Sequence, residues 1–271
     1  MKLSNIVIVT IIVLILLWLI NRFFFQTNII YDKMFDASKV NTTDNPGTVI
    51  KSKDINDNGT SNFMLSCWFY INNWNTNIER VKNVLIMGQN EENNFQYDES
   101  FSSHDMAISK QVSDAIKHPN LQISLDKHKN DLFIDIETLD MTDSFKLTRY
   151  RIKNIPVQKW NNLTISVDTR TLDVYLDGKL RNSFILNSVY RNEIDNKTKQ
   201  IYLGKYSDKV RYSFDGFITR IRYESSSINS EEAYKIYKKG ISASLATSLY
   251  NKYSLKVSFL EYNKEKGSFK I

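Results

Sequence analysis

The residues of this chain best able to do chemistry are two carboxylates, a thiol and three imidazoles. Asp135 and Glu137 stand two apart in the strand-like run FIDIE, and the period-two geometry of a strand sends Phe133, Asp135 and Glu137 to one face. Two carboxyls on one face are what acid–base and nucleophilic work on a glycosidic bond requires. Phe133, the third residue of that face, can attack nothing. The same alternation predicts a plainer arrangement, with Leu132, Ile134 and Ile136 in the core and Asp135 and Glu137 on the exposed face of the strand. His104, His118 and His128 are spaced 14 and 10 apart, which fits no metal-ligand motif. Cys67 is the only cysteine, so neither an intrachain disulfide nor a Cys-based zinc site can form. It sits in FMLSCWFYI with no histidine nearby in sequence, the setting of a buried, inert thiol.

Aromatic side chains offer a second kind of site, because exposed rings stack on sugars. Trp160 opens a strand and reads as packing, whereas Trp74, in the loop NNWNTN, is the exposed candidate. Between strands ending near Met87 and beginning near Leu121 runs GQNEENNFQYDESFSSHDMAISKQVSDAIKHPN, with Phe95, Tyr97 and Phe101 set among Glu91, Glu92, Asp98 and Glu99. A connection this long inside a compact domain is functional or disordered more often than structural, so it is either a recognition surface or a variable insertion. Trp74, Phe95, Tyr97 and Phe101 are therefore the candidate ligand-binding residues, and the acidic half of the loop suits a basic partner.

Strands must position these groups. Phe63, Leu65, Cys67, Phe69 and Ile71 alternate at period two, and further such runs occur at Val84–Met87, Leu121–Leu125, Leu132–Glu137, Leu163–Val167, Leu172–Leu176, Ser183–Leu186, Ile201–Leu203, Phe217–Tyr223 and Leu255–Leu260. DVYLDGKLRNSFIL predicts a hairpin with a type I′ turn at Asp177-Gly178, since both central residues need positive φ. Many short strands separated by turn signals predict an all-β, two-sheet sandwich. One helix interrupts them: in INSEEAYKIYKKG, Asn229 caps, Glu232 completes a capping box and Gly240 stops the helix.

With 3 Pro, 8 Gly and 13% aromatic residues the body is neither low-complexity nor fibrous, and it should fold. The net charge of +6 is scattered as single residues, and no nucleic-acid motif accompanies the pI of 9.1, so no nucleic-acid partner is expected. Ile6–Phe25 is apolar except for Thr10, Asn21 and Arg22. As a helix it would span ~30 Å, one hydrocarbon core, and bulky Phe23–Phe25 stand where a signal peptidase wants small residues. The expectation is an uncleaved single-pass anchor in contact with membrane lipid. The organisation expected is anchor 1–26, polar stalk 27–47 and globular body 48–271. Four N-glycosylation sequons, at Asn41, Asn58, Asn162 and Asn196, are about the number chance gives in a chain this rich in Asn, Ser and Thr.

The order of SNFMLSCWFYINNW, IPVQKWNNLTISVDTRTLDVYLDGKLRNSFIL, IYLGK and FDGFITRIRYESSSINSEEAYKIYKKG resembles the concanavalin A-like, laminin-G-like jelly-roll module over about residues 48–271. The anchor, WFYINNWN and the tail KYSLKVSFLEYNKEKGSF are similar to membrane-anchored laminin-G-like proteins of large DNA viruses. The resemblance implies two packed antiparallel sheets in a jelly roll, and a lectin-like binding or structural role at a virion or host membrane, with a glycan or protein partner. Glycoside hydrolases of this fold carry Glu-x-Asp-x-Glu on one strand. Here Phe133 stands in the nucleophile position, so the resemblance implies no enzyme; a hydrolase with an atypical site is the alternative. Relatives often hold calcium on rim loops, which leaves that ion open, but no Asp-rich loop here matches a defined pattern and no other cofactor is expected. The anchor is expected to keep the full-length chain in the membrane pellet after alkaline carbonate extraction; its release into the supernatant would remove the anchor from the account.

Overall fold

The computed structural model describes residues 28–41, 48–55, 57–89, 95–97, 118–139, 145–190, 199–204, 213–241, 256–261 and 264–270. The strands run β1 (Ile29–Tyr31), β2 (Phe35–Asp36), β3 (Thr48–Ile50), β4 (Phe63–Asn73), β5 (Lys82–Gln89) and β6 (Phe95–Tyr97). They continue as β7 (His118–Leu125), β8 (Leu132–Leu139), β9 (Phe145–Ile152), β10 (Trp160–Asp168), β11 (Thr171–Leu176), β12 (Lys179–Ile185), β13 (Gln200–Leu203) and β14 (Asp215–Glu224). Helix α1 (Ser230–Lys238) follows, then β15 (Lys256–Glu261) and β16 (Lys264–Lys270).

Two seven-stranded sheets result. One has the order β1-β14-β4-β10-β11-β12 with β2 also on β14, the other β3-β13-β5-β7-β8-β9-β6. Pairing is antiparallel throughout both sheets except that β6 runs parallel to β9. The hairpin β15–β16 is a separate two-stranded sheet. The all-β, two-sheet expectation holds.

The core is made by alternation. Phe63, Leu65, Cys67, Phe69 and Ile71 of β4 are all buried, with Leu163, Ile165 and Val167 of β10 beside them. The second sheet adds Leu121, Ile123 and Leu125 of β7 and Leu132, Ile134 and Ile136 of β8. Each such side chain contributes about 1.5–3 kcal/mol by leaving water. The outer faces of the central strands are buried too. Met64, Ser66 and Trp68 alternate with the β4 core residues, and Asn162, Thr164 and Ser166 with those of β10. Thr164 Oγ1 bonds to Ser66 Oγ at 2.9 Å, and Asn162 Nδ2 donates to Ser66 and to the Cys67 carbonyl. This network closes the sequon at Asn162, whose side chain has no exposure.

Helix α1 covers part of this outer face. Its capping box forms as expected, with Asn229 accepting from Glu231 and Glu232 and Glu232 accepting from the Asn229 amide. Tyr237 stacks on Trp68 with centroids 5.6 Å apart, and Ala233 and Ile236 face inward. Ser166 exchanges hydrogen bonds with the backbone of Ile228 just before the helix.

Two expectations need correction. Part of the stalk belongs to the sandwich: β1 and β2 pair with β14, and Phe35 and Ala37 are buried. Its apolar residues are few but paired, so composition concealed them. Strand β9, FKLTRYRI, carries no sustained apolar alternation, so period-two reading does not predict it. The anchor Ile6–Phe25 lies outside the described residues; among those described, no helix is long and apolar enough to cross a membrane.

The hairpin turn has the φ values that Asp177-Gly178 predicts, 52° and 72°. Gly178 has a second duty, because a Cβ there would stand 2.8 Å from Tyr237 Cβ and 3.0 Å from Tyr234 Cα of α1. Gly178→Ala is therefore expected to cost about 2–4 kcal/mol, from the left-handed backbone and the clash together. Urea unfolding measures it; a change under half a kilocalorie would show that the helix is not seated on the turn.

Candidate functional site

Strand β8 places its carboxylates as the alternation requires, on the face opposite Ile134 and Ile136, but that face is not exposed. Asp135 has no exposure and Glu137 1%. The register sets Asp135 against Arg149 of β9. The guanidinium grips it in a bidentate pair, Nε to Oδ1 at 2.7 Å and Nη2 to Oδ2 at 2.8 Å. Arg149 also lies 4.5 Å over the Phe133 ring. Glu137 accepts from Asn120 Nδ2 of β7 at 2.9 Å. Both carboxylates are thus partnered within the sheet, and the third position of the face is a phenyl ring. A retaining glycosidase needs a nucleophile and an acid about 5–5.5 Å apart with access to a sugar; this face has neither the nucleophile nor the access.

The arginines explain why β9 escapes a reading of periodicity. Arg149 and Arg151 occupy the face shared with Asp135 and Phe133, while Thr148, Tyr150 and Ile152 take the other. Neither face is uniformly apolar, so no period-two signal arises. The usable signal was chemical: two arginines at period two, able to meet carboxylates at period two.

The open site is a cleft of about 590 Å³ at one rim of the sandwich, lined among others by Trp74, His128, Lys129, Asp131, Arg151 and Lys153. Three loops build it, β4–β5, β7–β8 and β9–β10. Asn77, Asn154 and Gln158 in these loops hold positive φ of 54°, 59° and 56°, the kind of sparsely populated backbone that gathers at binding sites. Asp131 does not face the cleft as a free charge. Arg151 holds it through Nε at 2.7 Å, and it accepts the Asn154 amide at 2.9 Å. Lys129 and Lys153 have no charged partner among the described residues, so the lining is net positive.

Trp74 is only half-exposed and packs against the core, which corrects its expected place as an open platform. The Lys82 ammonium lies 4.9 Å over its ring and donates to the carbonyls of Asp126 and Lys127 at 3.2 and 3.3 Å. One buried cation thus ties the Trp74 loop to the β7–β8 loop. Burial lowers its pKa from 10.5 to about 8, against the pull of Asp126.

Phe95 and Tyr97 lie in β6, opposite Phe145 and Leu147 of β9. Phe101, the four acids of that loop and His104 lie outside the described residues. Of the four candidate aromatics, only the Trp74 side chain is described. Trp68 and Trp160 pack, the first on Tyr237 and the second 5.6 Å from Tyr70. Cys67 is buried and its thiol is pushed up to about 12 by desolvation, an inert state. Among the described residues no three His, Cys, Asp or Glu side chains gather as a metal site.

With sandwich, covered strand and rim cleft in view, the family comparison is decisive. Residues 43–233 match the profile described as the concanavalin A-like lectin/glucanases superfamily. The chain belongs to this superfamily. A comparison with curated proteins finds no match. Among solved structures, the sandwich is similar to the binding domain of Paraclostridial Mosquitocidal Protein 1, at 15% identity over 76% of this chain and 42% of that one, TM-score 0.48. It is similar also to the receptor binding domain of botulinum neurotoxin D, at 14% identity over 70% of this chain and 41% of that one, TM-score 0.45. The chain spans about two fifths of the length of these domains, and likeness at this level carries no function across. For a concanavalin A-like protein, the covered carboxylate strand and the open rim are the features that matter.

Lys82 yields a pH prediction. Its folded pKa lies below its unfolded one, so between pH about 8 and 10.5 the unfolded chain binds more protons and stability from this group rises with pH. Below about pH 8 the full cost of burying the ammonium is present. Relative to Lys82→Met, the wild type is expected to gain about 1–3 kcal/mol in urea stability from pH 7.5 to 10.5. A flat difference would mean that the amine is not desolvated.

Proposed function

We propose that the chain is a non-catalytic, lectin-like binding module, carried on a viral or host membrane by Ile6–Phe25, that holds a glycan in the rim cleft beside Trp74. The observation that carries this reading is the state of β8. In a superfamily that includes glucanases, the strand with paired carboxylates among the described residues offers Phe133 in place of a nucleophile and locks Asp135 and Glu137 into Arg149 and Asn120 beneath the surface. Binding without turnover is what remains to such a face. The cleft supplies the usual parts of a saccharide site: an indole, an apolar shoulder at Val157, and ammonium and amide donors on two loops, Lys129 and Asn130 on one and Lys153 and Asn154 on the other.

Full-length protein in a neutral detergent, applied to an immobilised glycan panel, is expected to be retained by at least one saccharide and to release no reducing sugar. Trp74→Ala should weaken retention tenfold or more when measured well below its unfolding midpoint, which loss of a ring packed against the core also lowers. Turnover abolished by Glu137→Gln would make the protein a hydrolase and sink this reading.

A further inference from the structure

Strand β14 contains two buried arginines, Arg220 and Arg222, with few partners among the described residues. The pairing of β14 with β4 shifts register between Thr219 and Arg222, and inside this bulge Arg220 holds a φ of 49°. That left-handed backbone is costly for a side chain bearing a Cβ. Arg220 is 4% exposed and Arg222 5%.

Their hydrogen bonding is sparse. The Nε of Arg220 has no hydrogen-bond partner and lies 4.0 Å from Asp32 Oδ1, and its Nη1 reaches the Ile241 carbonyl at only 3.5 Å. Arg222 makes no hydrogen bond or ion pair among the described residues. Burial and the neighbouring Arg220 together lower the Arg222 pKa to about 10, and Lys239, at the end of α1, is lowered by burial and by Arg222. Among the described residues three cations thus stand against two acids, Asp32, whose side chain is 43% exposed, and Glu224. Buried guanidinium groups with unfilled donors are costly unless an anion pairs with them.

We propose that Arg220 and Arg222, with Lys239 at their edge, form a binding site for a phosphate oxyanion. Two guanidinium forks side by side suit a tetrahedral anion with several acceptor oxygens better than a single carboxylate, which one fork would satisfy. The site explains the bulge: the extra residue in β14 brings a second arginine to the outer face, and the anion offsets the strained φ. Its place suggests a source. Arg222 pairs with Ile29 of β1, four residues after Phe25, and four extended residues reach at most ~14 Å. If Ile6–Phe25 is the anchor, this edge lies near the lipid phosphates. The lipid source rests on that anchor; the site does not.

The test uses full-length protein in dodecyl maltoside, titrated with inorganic phosphate against chloride at constant ionic strength and followed by calorimetry and thermal unfolding. Wild type should bind phosphate saturably and unfold at a higher temperature. Arg222→Gln should weaken binding tenfold or more. Arg220→Gly should do the same while keeping the bulge, since glycine takes a φ of 49° freely; this variant answers the question even if Arg222→Gln fails to fold. Lys33→Gln, an exposed lysine nearby, should change nothing. Phosphate acting no differently from chloride, or both arginine variants binding as wild type does, would overturn the proposal. A second arm adds monomeric dihexanoyl phosphatidic acid. Tighter binding than inorganic phosphate supports the site with a lipid headgroup as source; equal or weaker binding supports it with soluble phosphate. Release of the chain by carbonate would remove the lipid source and leave the phosphate arm intact.

Discussion

Burial of both faces of the central strands is the constraint on which this structure depends. In an antiparallel sandwich one face of each sheet ordinarily meets water, and polar residues there need no partner but solvent. Here β4, β8 and β10 are closed on both sides over most of their length. Every polar side chain of the outer faces must then find its partner within the protein or cost more than a typical hydrogen bond returns. Ser66 with Thr164 and Asn162 is one answer, Asp135 with Arg149 another, and Asn120 with Glu137 a third.

That requirement decides where chemistry can happen. Asp135, gripped by a bidentate arginine and shut off from solvent, serves as a tie between β8 and β9. Water is met at the rim, where the loops carry Lys129 and Lys153 beside the cleft. The same pressure acts at the other end of the fold. Lys199, Asp57 and Tyr223 form a buried cluster in which the lysine amine meets the carboxylate and donates to the phenol at 2.9 Å, with the ring 4.7 Å below the charge. Desolvation lowers the lysine and raises the tyrosine, while the contacts among the three groups tie the entry to β13 and strand β14 to the segment before β4. Removing either charge would leave the other buried and alone, which is why such a pair fixes geometry more than it adds stability.

Much of this was legible in the chain itself. Alternation gave β4, β7, β8 and β10, because their inward residues are uniformly apolar. Asp177-Gly178 gave the hairpin and its turn, because only a few residue types accept two positive φ angles in succession. Asn229 and Glu232 gave the start of α1, because capping is a contact between residues three apart. The superfamily was legible as well, in the order of a few short segments. Each of these signals is local, and a local signal survives in one dimension.

The rest belongs to the tertiary structure. Sequence placed Asp135 and Glu137 on one face but could not say whether water reached it; that depends on Arg149, fourteen residues away from Asp135, and on Asn120 from another strand. Lys82 looks like any surface lysine until the fold buries it over Trp74 between two carbonyls. Ile29–Tyr31 and Phe35–Asp36 are runs of three and two residues, too short to announce strands by periodicity, and only the edge of β14 makes them so. Burial is a property of the whole packed chain, and pairing across sheets depends on residues far apart in sequence, so the partners of charged side chains are the part of this protein that no stretch of sequence contains.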